Sequence, residues 1–132
     1  MSDPDRDETT AFRPKWDEKG LMPCITVDAE TGDTLMMAYM NQDALTRTLE
    51  TGEVHYWSRS RGELWHKGAT SGHVQTLVSL AIDCDQDTLL AKVHQKGAAC
   101  HTGRPSCFYR EIEAADPESS NNPVELKFTA AG

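Results

Sequence analysis

Three short segments of this sequence hold residue types that can do chemistry. The first is Asp83-Cys84-Asp85-Gln86-Asp87, where a carboxylate recurs at every second position. Successive side chains of an extended backbone point to opposite faces, so this spacing predicts Asp83, Asp85 and Asp87 on one side and Cys84 on the other. Carboxylate oxygens suit Mg²⁺ and a thiolate suits Zn²⁺, so the two faces would take different metals. The competing reading is a solvated acidic turn between two strands. An EF-hand is the least favoured reading, because that loop needs Gly at its sixth position and Glu at its twelfth, where counting from Asp83 gives Thr88 and His94.

The second segment runs from Gly97 to Cys107 and holds Cys100, His101 and Cys107 among glycines and small polar residues. Loops between strands present their side chains to solvent and substrate, so two thiols here are poorly explained as core filler. With Cys84 they make three thiolates. Three protein ligands leave a tetrahedral zinc one open position, which separates a catalytic site from a closed structural one. His101 either fills that fourth position or stands beside it as acid and base, and we favour the second. The third segment, His55 to His73, sets Arg59, Arg61 and Lys67 against Glu63 alone, a local positive charge in a chain whose formal net charge is -8. Arg forks onto phosphate oxygens, and Gly-rich backbone beside Thr70 and Ser71 adds further donors, so this is a candidate phosphate site. Trp57 and Trp65 offer faces on which a base can stack; core packing is the plainer use of two Trp on a hairpin.

The elements that must position these residues follow from pattern. Residues 1 to 15 are polar without a period and read as a flexible lead. Cys24 to Asp28 and Thr34 to Met40, joined by Glu30-Thr31-Gly32-Asp33, read as a hairpin. Asn41 is a good N-cap, Ala44, Leu45 and Leu49 recur at helical spacing, and Gly52 stands where a C-terminal cap belongs, which predicts one short helix. A second hairpin has arms Val54 to Ser58 and Glu63 to Lys67. Val74, Thr76, Val78, Leu80 and Ile82 alternate along one face of a strand, Thr88 to Gln95 is its neighbour, and a last strand is expected from about Cys107 to Ile112. The rest, 116 to 132, reads as a tail. The expected architecture is mainly β, a small curled antiparallel sheet or half-barrel capped by a short helix, in one domain over 16 to 115.

Composition sets outer limits. At 132 residues, 38% hydrophobic, the chain fits one domain with little core to spare, so a subunit interface would help. The negative charge argues against nucleic acid and anionic membranes as partners. The acidic start, with no apolar run of membrane-spanning length, points to the cytoplasm, where the four cysteines stay thiols.

Together YWSRSRGELWHKGATSGHVQ, DCDQDTLL and KGAACHTGRPSCF, in this order and spacing, resemble the signature of the phosphoribosyl-AMP cyclohydrolases over roughly residues 20 to 113. The resemblance implies hydrolysis of the N1–C6 bond in the adenine ring of 1-(5-phosphoribosyl)-AMP, the third step of histidine biosynthesis. It also implies an interlocked homodimer with one zinc and one magnesium per subunit. Cys100 and Cys107 match zinc ligands of one subunit, Cys84 matches the ligand given by the partner, and Asp83, Asp85 and Asp87 match the magnesium site. The chemistry agrees, since zinc lowers the pKa of its bound water towards about 7, and the departing N1 needs a proton that His101 or His73 can give. Two other functions are compatible with zinc thiolates. A nucleobase deaminase would carry His-x-Glu and Pro-Cys-x-x-Cys, which are absent. A zinc-stabilised binding module would need His101 or Cys24 as a fourth ligand.

Overall fold

The β-branched run Met22-Pro-Cys-Ile-Thr-Val-Asp forms β1 (Met22–Asp28), and the sheet is built outwards from it. The computed structural model describes residues 4–114 and 124–129. β1 pairs antiparallel with β2 (Thr34–Met40) through a hairpin, Cys24 facing Ala38, and parallel with β6 (Leu89–Gln95), Cys24 facing Leu89. β3 (His55–Ser58) and β4 (Glu63–His66) form the second expected hairpin on the far side of β2, and β5 (Gln75–Ile82) covers the outer edge of β6. The order β4-β3-β2-β1-β6-β5 is thus a mixed sheet rather than a purely antiparallel one. The parallel pair joins strands far apart in sequence, which no local pattern announces.

The sheet curls until its outermost strand meets the chain entering β3. Val54 N–H donates to the Gln75 carbonyl at 3.0 Å, Leu77 N–H donates to the Gly52 carbonyl at 2.8 Å, and Glu53 bridges Thr76. The result is a half-barrel. Helix α2 (Gln42–Thr51) caps it as its sequence dictates: the Asn41 side chain accepts from Ala44 N–H at 2.9 Å, and Gly52, at φ 75°, donates back to the Thr48 carbonyl. Its buried face is Ala44, Leu45 and Thr48, while Leu49 is 61% exposed.

β5 departs from its simple alternation. The register against β6 slips between Leu77 and Ser79, leaving Val78 unpaired as a β-bulge. One extra residue reverses the faces of everything beyond it. Gln75 and Leu77 therefore point inward before the bulge, and Leu80 and Ile82 after it, while Thr76 and Val78 face solvent.

The last strands form a separate ribbon, β7 (Arg110–Ala114) against β8 (Val124–Phe128). β7 starts later than the strand expected from Cys107, because Cys107 N–H is bonded to the Leu35 carbonyl at 2.7 Å and Ser106 Oγ to the Thr34 carbonyl at 2.7 Å, which spends that stretch on tying a loop to β2. β8 lies within the segment read as tail; the exposed stretch expected over 116 to 123 falls outside the described residues. In the lead, α1 (Pro4–Asp7) precedes a run without regular secondary structure up to Trp16.

Within the apolar core of Met22, Met36, Met40, Leu45 and Val93 runs a chain of polar contacts. Thr26 Oγ1 donates to Tyr56 Oη at 2.7 Å, Tyr56 Oη donates to Gln75 Oε1 at 2.6 Å, and Gln75 Nε2 donates to Gln95 Oε1 at 2.8 Å. Gln95 Nε2 in turn reaches the His73 carbonyl at 3.1 Å. Tyr56, Thr26 and Gln75 are fully buried, so each polar atom depends on the next. Tyr56→Phe would orphan both neighbours and should lower the urea-unfolding free energy by about 1–3 kcal/mol. An unchanged midpoint would show that the chain of contacts contributes nothing.

Candidate active site

The β3–β4 hairpin and the loop after β6 enclose a groove with two lobes. The first, about 850 Å³, is lined by Tyr39, Trp57, Arg59, Arg61, Trp65 and His101 among others; the second, about 540 Å³, by Arg61, Trp65, Lys67, Thr70, Ser71, His73, Cys100 and His101 among others. Arg61, Trp65 and His101 belong to both and mark the junction. Hairpin register explains the upper lobe: Tyr39 pairs with Trp57, and Trp57 with Leu64. The Arg59 guanidinium lies 4.0 Å over the Tyr39 ring, while Arg61 is steadied by Ser58 Oγ at 3.2 Å and Glu63 at 3.5 Å. Trp65 packs partly against the core and also lines the groove.

The floor of the lower lobe is the loop carrying the thiols. Half-buried Lys67 donates from Nζ to the Ala99 carbonyl at 2.6 Å, and burial lowers its pKa although the nearby Cys107 and Cys100 sulfurs oppose the shift. Lys67 therefore holds the loop as well as charging the groove. Within the loop Cys100 N–H donates to the Arg104 carbonyl and Gly103 N–H to the Cys100 carbonyl. Cys100 and Cys107 lie close enough for each sulfur to act on the other's charge. Burial would raise the Cys100 thiol, but the Thr102 hydroxyl at 3.1 Å, the Thr102 amide, Cys107 and Arg104 outweigh it and its pKa is lowered. Desolvation and the neighbouring Cys100 push Cys107 up to about 11. Cys24, by contrast, is enclosed in the core, and burial pushes it up to about 12.

His73 is set by backbone. Its N–H is bonded to Ser71 Oγ at 3.2 Å and its carbonyl to Gln95. Gly68, at φ 85°, lies so close beneath that a Cβ there would strike the His73 and Val74 backbone, and a Cβ on Gly97, at φ 69°, would enter the His73 ring. Both glycines are required by close approach as well as by their left-handed backbone.

The acidic segment is elsewhere. Asp83 to Asp87 form a tight turn between β5 and β6, with Gln86 at φ 58°, rather than continuing the strand. The three carboxylates converge nonetheless, with ligand oxygens within 4.8 Å of one another, because the turn folds them together where extended backbone was expected to align them. Cys84 sits on this turn, before β6, whereas Cys100 and Cys107 follow β6. Seven residues of strand separate the two ends by about 20 Å. Among the described residues no trio of thiols meets within one chain.

The family model described as phosphoribosyl-AMP cyclohydrolase matches residues 36–109, a span that holds the hairpin, the acidic turn and the thiol loop. The chain is 59% identical over 108 residues to the phosphoribosyl-AMP cyclohydrolase of Hyphomonas neptunium, covering 82% of each. It is 57% identical over 106 residues to that of Nitrobacter hamburgensis, covering 80% of this chain and 72% of the relative. A Rhodopseudomonas palustris relative of the same name is 54% identical over 120 residues, 91% of this chain and 80% of its own. The chain belongs to the phosphoribosyl-AMP cyclohydrolase family. As a member of it, the chain is an enzyme.

For this phosphoribosyl-AMP cyclohydrolase family member, the structure gathers Trp57, Arg59, Arg61, Lys67, Thr70, Ser71, His73, Cys100 and His101 around one groove, with Cys107 near Cys100. Asp83, Cys84, Asp85 and Asp87 are not part of it in the same chain. Sequence reasoning missed Tyr39, which reaches the groove only through strand register. It also missed the pair of His66 Nε2 and Glu53 Oε1 at 2.8 Å, with His55 stacked on His66 at 4.3 Å. His55 faces His66 across the hairpin, so correct pairing of the two arms was the available signal.

The thiolate is the reactive form of cysteine, so a lowered pKa moves alkylation to lower pH. In metal-free protein treated with iodoacetamide, peptide mass spectrometry should show Cys100 modified with a lower pH midpoint than Cys107, and Cys24 protected until unfolding. Equal midpoints for Cys100 and Cys107 would mean that Thr102 and Arg104 do not act on the Cys100 sulfur.

Proposed function

We propose that the groove hydrolyses the N1–C6 bond in the adenine ring of 1-(5-phosphoribosyl)-AMP, giving the ring-opened imidazole carboxamide ribotide in the third step of histidine biosynthesis. The observation that carries this, beside family membership, is the two-lobed groove with cations in both lobes. The substrate has one purine between two phosphorylated riboses. Arg59 and Arg61 take one phosphate, Lys67 with Thr70 and Ser71 takes the other, and the Trp65 face at the junction receives the base. His101 lines both lobes beside that face, and is better placed than His73 to hold or give the N1 proton from its ring. His73, braced by Gly68 and Gly97, orients what enters the lower lobe.

The donor sets fit two metals. Adjacent soft sulfurs on Cys100 and Cys107 suit zinc, and the converged oxygens of Asp83, Asp85 and Asp87 suit magnesium. Bound between the thiols, zinc would supply a water acidic enough to be an effective nucleophile at neutral pH. Cys84 completes the sulfur set from a partner subunit, a reading supported by its place at the opposite end of β6 from the other two thiols. Exposed apolar side chains on and beside the β7–β8 ribbon, Phe108, Ile112 (75% exposed), Leu126 and Phe128, suit burial in the same homodimer. Among the described residues no helix is long and apolar enough to cross a membrane, and we assign the enzyme to the cytoplasm.

Incubation with 1-(5-phosphoribosyl)-AMP should yield the imidazole carboxamide product without release of ammonia; ammonia instead would indicate a deaminase. Elemental analysis should find zinc lost from both Cys100→Ser and Cys107→Ser. Shared ligation has its own test. Cys84→Ala and Cys100→Ala, each inactive alone, should on co-refolding form mixed dimers holding one complete site. Half of randomly paired dimers are mixed, so activity should return to about a quarter of wild type. Absence of recovery, with mixed dimers verified by mass spectrometry, would place all ligands in one subunit.

A further inference from the structure

Gln86 is the buried member of the acidic turn, 5% exposed between half-buried Asp85 and Asp87. Its side-chain hydrogen bonds go to residues other than the carboxylates. It reaches the opposite way, into the N-terminal run that precedes β1. Gln86 Oε1 accepts from Arg13 N–H at 2.7 Å, and Nε2 donates to the Arg6 carbonyl at 3.1 Å and the Ala11 carbonyl at 3.3 Å. The Gln86 carbonyl accepts from Lys15 N–H at 2.7 Å. Four bonds, all to main chain, thus strap residues 6 to 15 across the back of the turn. One carboxamide and one carbonyl thus contribute to holding a lead that has no hydrophobic period.

The front of the turn is under load. Three carboxylates within 4.8 Å repel one another unless a cation lies between them. The turn's own bonds fix two of them only: Asp83 Oδ1 accepts from the Asp87 and Thr88 amides at 2.9 and 3.1 Å, and Asp87 Oδ1 accepts from Thr88 Oγ1 at 3.1 Å. Asp85 depends on the backbone of its neighbour, and that neighbour is held at φ 58°, a conformation L side chains leave readily when nothing secures them. The strap continues past Gln86 so that Lys15, Trp16 and Asp17 wall a hollow of about 290 Å³ with Asp87 and Thr88.

We propose that Gln86 is a positioning residue: its carboxamide latches the N-terminal strap onto the turn and thereby holds Asp83, Asp85 and Asp87 at the spacing of a divalent-cation site. The proposal rests on the reading of this turn as the magnesium site. Groups that orient metal ligands without touching the ion change affinity by about 10- to 100-fold when removed. The probe is Mn²⁺, titrated into the full-length, zinc-loaded protein with free ion counted by electron paramagnetic resonance. Gln86→Gly keeps the left-handed backbone and removes the latch, and should weaken Mn²⁺ binding about tenfold. Arg13→Pro removes one N–H that Gln86 accepts without altering any atom of the turn, and should bind Mn²⁺ more weakly than Arg13→Ala, the reference that loses the same side chain and keeps that N–H. Arg13→Pro carries the test if Gln86→Gly does not fold. A merely structural role would lower the melting temperature of the variants and leave the Mn²⁺ dissociation constant of the folded protein unchanged, which would overturn the proposal. Asp85→Asn separates the two levels. If it binds Mn²⁺ as wild type does, the turn is not the cation site and the latch falls with it; if it loses the ion while Gln86→Gly and Arg13→Pro keep it, the latch alone is wrong.

Discussion

Strand β6 is hydrogen-bonded on both edges, to β1 in parallel and to β5 in antiparallel register, and so cannot fold back on itself. That constraint organises the chemistry. Everything before β6 on its side of the chain, the converged carboxylates and Cys84, is kept at one end of the half-barrel; everything after it, Cys100, His101 and Cys107, is kept at the other. A longer turn or a broken strand would let three thiols meet within a chain. The continuous ladder prevents it, and the groove gains a rigid floor in exchange. The polar chain from Thr26 through Tyr56, Gln75 and Gln95 to the His73 carbonyl shows the same economy, since the contacts that satisfy the core also fix the backbone of the site.

The separation also reconciles an acidic protein with an anionic substrate. Screening at physiological salt acts over about 8 Å, well short of the length of β6, which separates the carboxylate turn from the thiol loop that floors the groove. The groove of a single chain can therefore stay locally positive although the formal charge is -8. In the proposed assembly the partner's turn approaches the groove, and a divalent cation there would offset carboxylate charge that otherwise opposes the phosphates.

Local rules made much of this legible. Asn41 and Gly52 cap α2 because their side chain and backbone do so in any context, and both hairpins followed from turn chemistry between β-rich arms. The groove residues were found by type and spacing, since Arg59, Arg61, Lys67 and the thiol loop lie within short segments. What sequence did not reveal depends on contacts between distant segments or on one inserted residue. The parallel β1–β6 pair, the contribution of Tyr39, the tie of Ser106 and Cys107 to β2 and the strap on Gln86 all belong to the first kind. The bulge at Val78 belongs to the second: Val74, Thr76, Val78, Leu80 and Ile82 look like one apolar face, and only the slip against β6 divides them. The carboxylates illustrate a right grouping reached by a different backbone, for a turn converges them where alternation along a strand was invoked.

The bulge has a bearing on how the molecule behaves at high concentration. Among the described residues, only the first part of β5 is covered, by residues 52 to 54; from Val78 to Ile82 its outer edge is open, beside a hollow lined by Phe12, Leu49, Leu80, Ala81 and Ile82. Such an edge invites strand addition from another chain. The unpaired residue interrupts the row of amides and carbonyls and twists the strand locally, so an incoming strand can pair along the short stretch beyond Val78 and then loses register. The irregularity that turns Leu80 and Ile82 to the core side thus also shortens the regular edge available for strand addition.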